Sequence, residues 1–197
     1  MLELQRRIRE QGTTAPGGVI RVDSFLNHQI DPLLADRIAG EFARRFSDIR
    51  VTRVLTIEAS GIAFAVLVAL KIGVPLVFAK KGRSRSLGDD AVYTASVRSF
   101  TRGDEFTVSV ARKYISKDDS VLIIDDFLAM GEAAQGLVDI VRQSGANVGG
   151  VGIVIEKGFQ PGGRKLRNQG VRVESLAVVS RITDQGDIVF RDNSTID

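Results

Sequence analysis

The chain has no cysteine and no tryptophan, one histidine and only four prolines. Without cysteine there can be neither a disulfide nor a thiolate metal site. A lone histidine, His28, excludes a histidine-rich metal centre. Long apolar runs are missing too, and no stretch approaches the roughly 20 residues that a membrane-spanning helix needs. The opening MLELQRRIREQG lacks the apolar core of a signal peptide, and its Leu4 and Ile8 are spaced as one face of a short amphipathic helix. A large excess of one sign of charge is lacking as well. A net charge of +3 gives little support to nucleic-acid binding and suits a basic lining for a small polyanion equally well. The expectation is a cytoplasmic protein without a nucleic-acid or membrane partner.

What the sequence does have is enough apolar material for one domain: 197 residues, 44% hydrophobic and 26% charged, with no repeat and no linker. Asp31-Pro32 starts a helix with proline at its first position, and Leu34, Ile38, Phe42 and Phe46 then recur on one face. Val54–Ile57 reads as a strand, Glu58–Gly61 as a turn and Ile62–Ile72 as an apolar helix stopped by Gly73 and Pro75. Leu76–Ala79 is the next strand. Tyr93–Phe100 and Phe106–Val110 read as a hairpin across Arg102-Gly103-Asp104, and Val151–Ile155 is a further strand. Alternating strands and helices imply an α/β fold with a mainly parallel sheet, from which the hairpin is an excursion. Ligands of such sheets bind beyond the carboxyl ends of the strands, where Glu58, Asp125, Asp126 and Lys157 would converge.

The segment Val121–Ala133, VLIIDDFLAMGEA, is the most informative. Four β-formers make a strand buried on both faces. Asp125 and Asp126 follow, then a loop with Gly131 and a helix over Glu132–Ser144 closed by Gly145. A glycine loop at a helix N-terminus gathers backbone N–H groups around one point, which suits a phosphate. Two carboxylates beside that cradle would repel the ligand unless a sugar or a cation lay between. A ribose 5-phosphate resolves the conflict by offering hydroxyls to the carboxylates and its phosphate to the loop.

Three other pieces are open to two readings each. Glu58-Ala59-Ser60-Gly61 is either a second anion nest or a plain helix cap. Lys80, Lys81, Arg83 and Arg85 are either a solvated face or a source of cations for a leaving anion, and Gly82–Asp90 has the composition of a lid. Lys157, ending the strand in VGIVIEKGF, is either a surface charge or a ligand contact, and Phe159 either covers a ligand or joins the core. His28 reads as a packing or surface residue.

The run of apolar strand, paired acids, short loop and Gly131 resembles the diphosphoribosyl-binding motif of the phosphoribosyltransferases. Met130 and Ala133 stand where that family more often has hydroxyl residues, so the phosphate would rely on main-chain donors, with the Glu132 side chain turned outward. The resemblance extends through GGVIRVDSFLNHQIDP and GIVIEKGFQPG to nearly the whole chain. It implies a type I fold in one domain, residues 1–197, with a hood from about residues 1–50 and part of the C-terminal region. It implies that Asp125 and Asp126 hold the ribose, and that Ala129, Met130, Gly131, Glu132 and Ala133 bind the 5-phosphate. Ala59, Ser60 and Lys81 would serve the pyrophosphate, and Ile20, Asn27 and Lys157 the base. A lysine in the position of Lys157 suits an exocyclic oxygen and opposes an amino group, donor against donor. The implied base is therefore an oxopurine, and the resemblance itself implies xanthine, with guanine and hypoxanthine as alternatives. A sensor that binds phosphoribosyl diphosphate without catalysis is the reading from another class. Mg2+ carried by the substrate, with no protein metal cage, and a homodimer complete the implied picture.

Overall fold

The computed structural model describes residues 1–82, 91–98 and 105–191. Its centre is an eight-stranded sheet in the order β10-β9-β8-β7-β3-β4-β6-β5. Strands β3 (Arg53–Ile57), β4 (Leu76–Lys81), β7 (Ser120–Leu128), β8 (Asn147–Lys157) and β9 (Val173–Ile182) form the parallel part. The hairpin of β5 (Val92–Arg98) and β6 (Glu105–Ala111) is antiparallel and joins β4 through β6, while β10 (Ile188–Phe190) closes the other edge antiparallel to β9. The expected fold class is thus observed, hairpin excursion included. The expected hairpin tip and all of the expected lid beyond Gly82 lie outside the described residues.

Helices cover both faces. α2 (Pro32–Arg45) starts where the Asp31-Pro32 pair placed it, with the Asp31 carboxylate accepting the N–H groups of Leu33 and Leu34 at 3.0 and 3.1 Å. Its Leu34, Ile38 and Phe42, with Phe46 beyond, are all buried against α3 (Gly61–Ile72) and the sheet. Each such side chain contributes about 2 kcal/mol of hydrophobic stabilisation. α4 (Glu132–Gln143) packs on the opposite face through Leu137, Val138, Ile140 and Val141.

Ahead of the sheet, α1 (Leu2–Gln11) buries Leu4 and Ile8 as their spacing requires. A small antiparallel hairpin, β1 (Thr13–Ala15) with β2 (Val19–Arg21), and a π-helical turn at Asp23–Asn27 follow. This hairpin meets the loop between β9 and β10, where the Thr14 hydroxyl donates to the Gly186 carbonyl at 3.0 Å. A last short helix, α5 (Gly162–Asn168), lies between β8 and β9. No helix among the described residues is long and apolar enough to cross a membrane.

Candidate active site

Asp125 and Asp126 are still inside β7, which runs two residues past them, rather than at its exit. Strand pairing explains the difference, since Asp125 stands opposite Ile153 and Phe127 opposite Ile155 of the long strand β8. Both carboxylates are consequently buried, Asp125 to 5% and Asp126 to 8% exposure. The Asp125 carboxylate accepts the N–H of Asp126, and that of Asp126 accepts the N–H of Phe127, each at 3.0 Å. Burial, reinforced by the adjacent Asp126 charge, pushes the Asp125 carboxyl well above the ordinary aspartate range, with Lys81 acting in the opposite direction.

The turn Glu58–Gly61 comes up against this pair. A Cβ on Gly61 would run into the Thr56 hydroxyl and lie 2.9 Å from Asp125 Oδ1, so only glycine lets α3 begin this close to the acid. No side chain caps α3 at Ser60, and within its first turn the Ile62 N–H donates to the Ala59 carbonyl at 3.2 Å. Glu58 reaches across to β4, where its carboxylate accepts the N–H of Lys81 at 2.5 Å.

Neighbouring lysines on β4 part company because successive strand residues face opposite ways. Lys81 lines a cavity of about 230 Å3 together with the whole run Phe127–Ala134, and Lys80 lines a different one. The Lys81 ammonium lies 5.4 Å over the Phe106 ring. Arg83 and Arg85 fall outside the described residues. The loop below this cavity turns at Gly131, with φ +89°, and α4 starts there without a side-chain cap. The N–H groups of Gly131 to Ala133 thus stand at the start of α4 with no side-chain cap upon them. Glu132 turns toward Lys165, 3.7 Å away, and so leaves the cradle.

Lys157 ends β8, next to the strand of the acidic pair. Its ammonium donates to the Gly18 carbonyl of the β1–β2 turn at 2.9 Å and lies 6.0 Å over the Phe127 ring, and burial lowers its pKa. Ile20 is buried in the same hairpin, whereas Asn27 is exposed at the last residue of the π turn and His28 is exposed beside it. Phe159 is 41% exposed and so is not a core residue. It borders, with Gly18 and Arg181, a second cavity of about 610 Å3 between the two hairpin turns.

Among the described residues, no three of His, Cys, Asp and Glu gather as a metal-binding group. Glu156, just before Lys157, has a structural partner instead. Arg167 holds it with two bonds of 2.8 Å and the Ser175 hydroxyl donates at 2.5 Å. Burial alone would raise the Glu156 pKa, but these bonds outweigh it and hold the carboxyl below its usual range. Their stabilisation is complete above the ordinary glutamate value of 4.5 and is lost as pH falls through the lower folded value. Glu156→Gln is thus expected to lower Tm at neutral pH and to flatten its decline in acid. Parallel Tm–pH profiles of variant and parent would contradict this.

Sequence reasoning missed four contributors. The Gly18 carbonyl, the Gly61 approach to Asp125 and the contact of Gly162 with the Ala129–Gly131 loop depend on chain segments distant in sequence, and the Glu156–Arg167 pair spans 11 positions.

A family model described as "Phosphoribosyl transferase domain" matches residues 22–165. The chain is 51% identical over 195 residues to the xanthine phosphoribosyltransferase of Bacillus mycoides, covering 99% of this chain and 98% of that protein. It is 50% identical over 191 residues to the enzyme of the same name from Limosilactobacillus fermentum, covering 97% of each. Among solved structures, the adenine phosphoribosyltransferase of Saccharomyces cerevisiae is similar with a TM-score of 0.71 at 21% identity, over 89% of this chain and 99% of that one. That of Trypanosoma brucei, in complex with AMP, pyrophosphate and ribose-5-phosphate, reaches 0.73 at 18% identity, over 93% and 83%. At these identities the structures speak to the fold alone.

Proposed function

Because the chain belongs to the phosphoribosyltransferase family, we propose that it transfers the 5-phosphoribosyl group of phosphoribosyl diphosphate to xanthine. Xanthosine 5′-monophosphate and pyrophosphate are the products, which makes it a purine-salvage enzyme. The observation that carries this reading is the placement of the acidic pair inside the C-terminal half of β7 and of the Gly131 loop just beyond that strand, with Lys157 at the end of the adjacent β8.

In the reaction a bond forms between an imidazole nitrogen of the base and C1 of the ribose as the bond from C1 to the pyrophosphate oxygen breaks. The sugar is cation-like at the crossing point, so rate depends on positioning and on charge rather than on a protein nucleophile. Asp125 and Asp126 hold the ribose hydroxyls, and their negative charge favours the cation. Ala129 to Ala133 take the 5-phosphate through main-chain N–H groups. Ala59 and Ser60 donate to the pyrophosphate, with Lys81 beside it. Mg2+ would be held mainly by the pyrophosphate and ribose oxygens of the substrate, the hard oxygen donors it prefers, rather than by a protein cage. When bound, that ion neutralises charge on the departing pyrophosphate.

Ile20, Asn27 and Lys157 receive the base, and Phe159 is free to cover its face. Lys157 donates to a 6-oxo group, exchanging the Gly18 carbonyl for the ligand. Asn27 has both a donor and an acceptor for an oxo group beside a ring N–H. Lys157→Ala is expected to raise the KM for xanthine by roughly tenfold to a hundredfold, the worth of one charged hydrogen bond. The KM for phosphoribosyl diphosphate should hardly change. Calorimetry with each ligand checks the split, and equal losses for both would remove Lys157 from the base site.

The chain is one domain whose hood comes from about residues 1–50 and part of the C-terminal region. It works in the cytoplasm as a homodimer. Val66 and Leu70 of α3, Phe78 and Tyr114 are 49%, 75%, 41% and 50% exposed, which supports an apolar contact with a second copy. Light scattering tests the dimer, and a monomer at micromolar concentration would contradict it.

A further inference from the structure

The phosphate loop has a floor. We propose that Gly162 is a positioning residue for phosphoribosyl-diphosphate binding, seating the Ala129–Gly131 loop on the first turn of α5; the proposal rests on the function given above. The Gly162 N–H donates to the Ala129 carbonyl at 3.0 Å, which fixes the start of the loop. A Cβ on Gly162 would run into that same carbonyl oxygen and lie 2.6 Å from Gly131 N and 2.8 Å from the Met130 carbonyl carbon. The contact is reciprocal, since a Cβ on Gly131 would lie 2.8 Å from Gly162 Cα. Two glycines 31 positions apart are thus packed backbone to backbone, and neither can carry a side chain without moving the other.

This seat matters because the loop has no side chain of its own to hold its shape. α4 lacks a side-chain cap, and Gly131 adopts a left-handed conformation that glycine alone enters freely. Main-chain donors bind an anion well only if they already point at it, and a shift of about 1 Å is costly. The floor is itself anchored. Leu166 of α5 is buried, and Arg167 of the same helix makes the two 2.8 Å bonds to buried Glu156. Glu156 immediately precedes Lys157, so one short segment, Glu156–Gly163, ends at the base lysine on one side and at the phosphate loop on the other.

The test is steady-state kinetics and calorimetry on Gly162→Ala, with Tm as a control. The KM for phosphoribosyl diphosphate should rise at least about tenfold while that for xanthine stays within about twofold, a split that general loosening would not produce. Combining Glu156→Gln with Arg167→Met removes the anchor without stranding a charge, and should give a smaller rise, about threefold, for the same substrate. If Gly162→Ala does not fold, this second variant decides. A folded variant that binds phosphoribosyl diphosphate as the parent does would overturn the seat and leave the enzyme assignment intact. Failure of the parent to bind it at all would overturn both.

Discussion

Changing Asp125 and Asp126 together to asparagine is expected to lower kcat/KM by about three orders of magnitude, because both the ribose contacts and the charge that favours a cationic sugar are lost. The same change should make the protein more stable. Asp125 is buried with its carboxyl pushed above the ordinary aspartate value of 3.8. For a raised acid, the folded protein keeps a proton that the unfolded chain has released. Stability is therefore greatest below 3.8 and declines as pH rises toward the folded value. Asparagine cannot ionise, and its amide oxygen can still accept the Asp126 N–H. Asp125→Asn alone is thus expected to raise Tm at neutral pH while lowering turnover by less than the double change does. A loss of activity accompanied by a fall in Tm would point to a scaffolding role instead.

Gly131→Val should remove binding of ribose 5-phosphate. At φ +89° a β-branched residue is strained by about 1–2 kcal/mol, and its Cβ would collide with Gly162. The loop must then leave its seat and take its N–H donors with it. Loss of two such charge-assisted bonds corresponds to at least about a hundredfold in affinity. Calorimetry on a variant whose circular dichroism is unchanged measures this. Affinity equal to the parent's would show that the phosphate binds elsewhere.

These two predictions concern the part of the molecule that was plainest in the sequence. The stretch from Val121 to Gln143 encodes its own local structure: an apolar strand, a turn that needs glycine and an amphipathic helix in direct succession. The helix face Leu34, Ile38, Phe42 and the stop at Gly73 and Pro75 were legible for the same reason. Strand ends were less so. β7 and β8 outrun their apolar cores because strand pairing carries them on, Leu128 opposite Glu156 of β8 and Lys157 opposite Val179 of β9. β9 and α5 had no clean period to mark them. Long-range contacts were the least visible: nothing local in Gly18 announces a carbonyl for Lys157, and nothing local in Gly162 announces a floor for Gly131. Lys81 was already preferred to Lys80 from the sequence, and the pleat of β4 gives the physical reason by sending the two side chains to different cavities.

Nucleotide formation followed by absorbance, with Mg2+ and phosphoribosyl diphosphate and with xanthine, guanine, hypoxanthine or adenine supplied singly, tests the central claim most directly. Turnover fastest with xanthine and negligible with adenine is the expected result. Preference for another base would contradict the reading of Lys157 and the hood, and tight binding of phosphoribosyl diphosphate without turnover of any base would contradict catalysis itself.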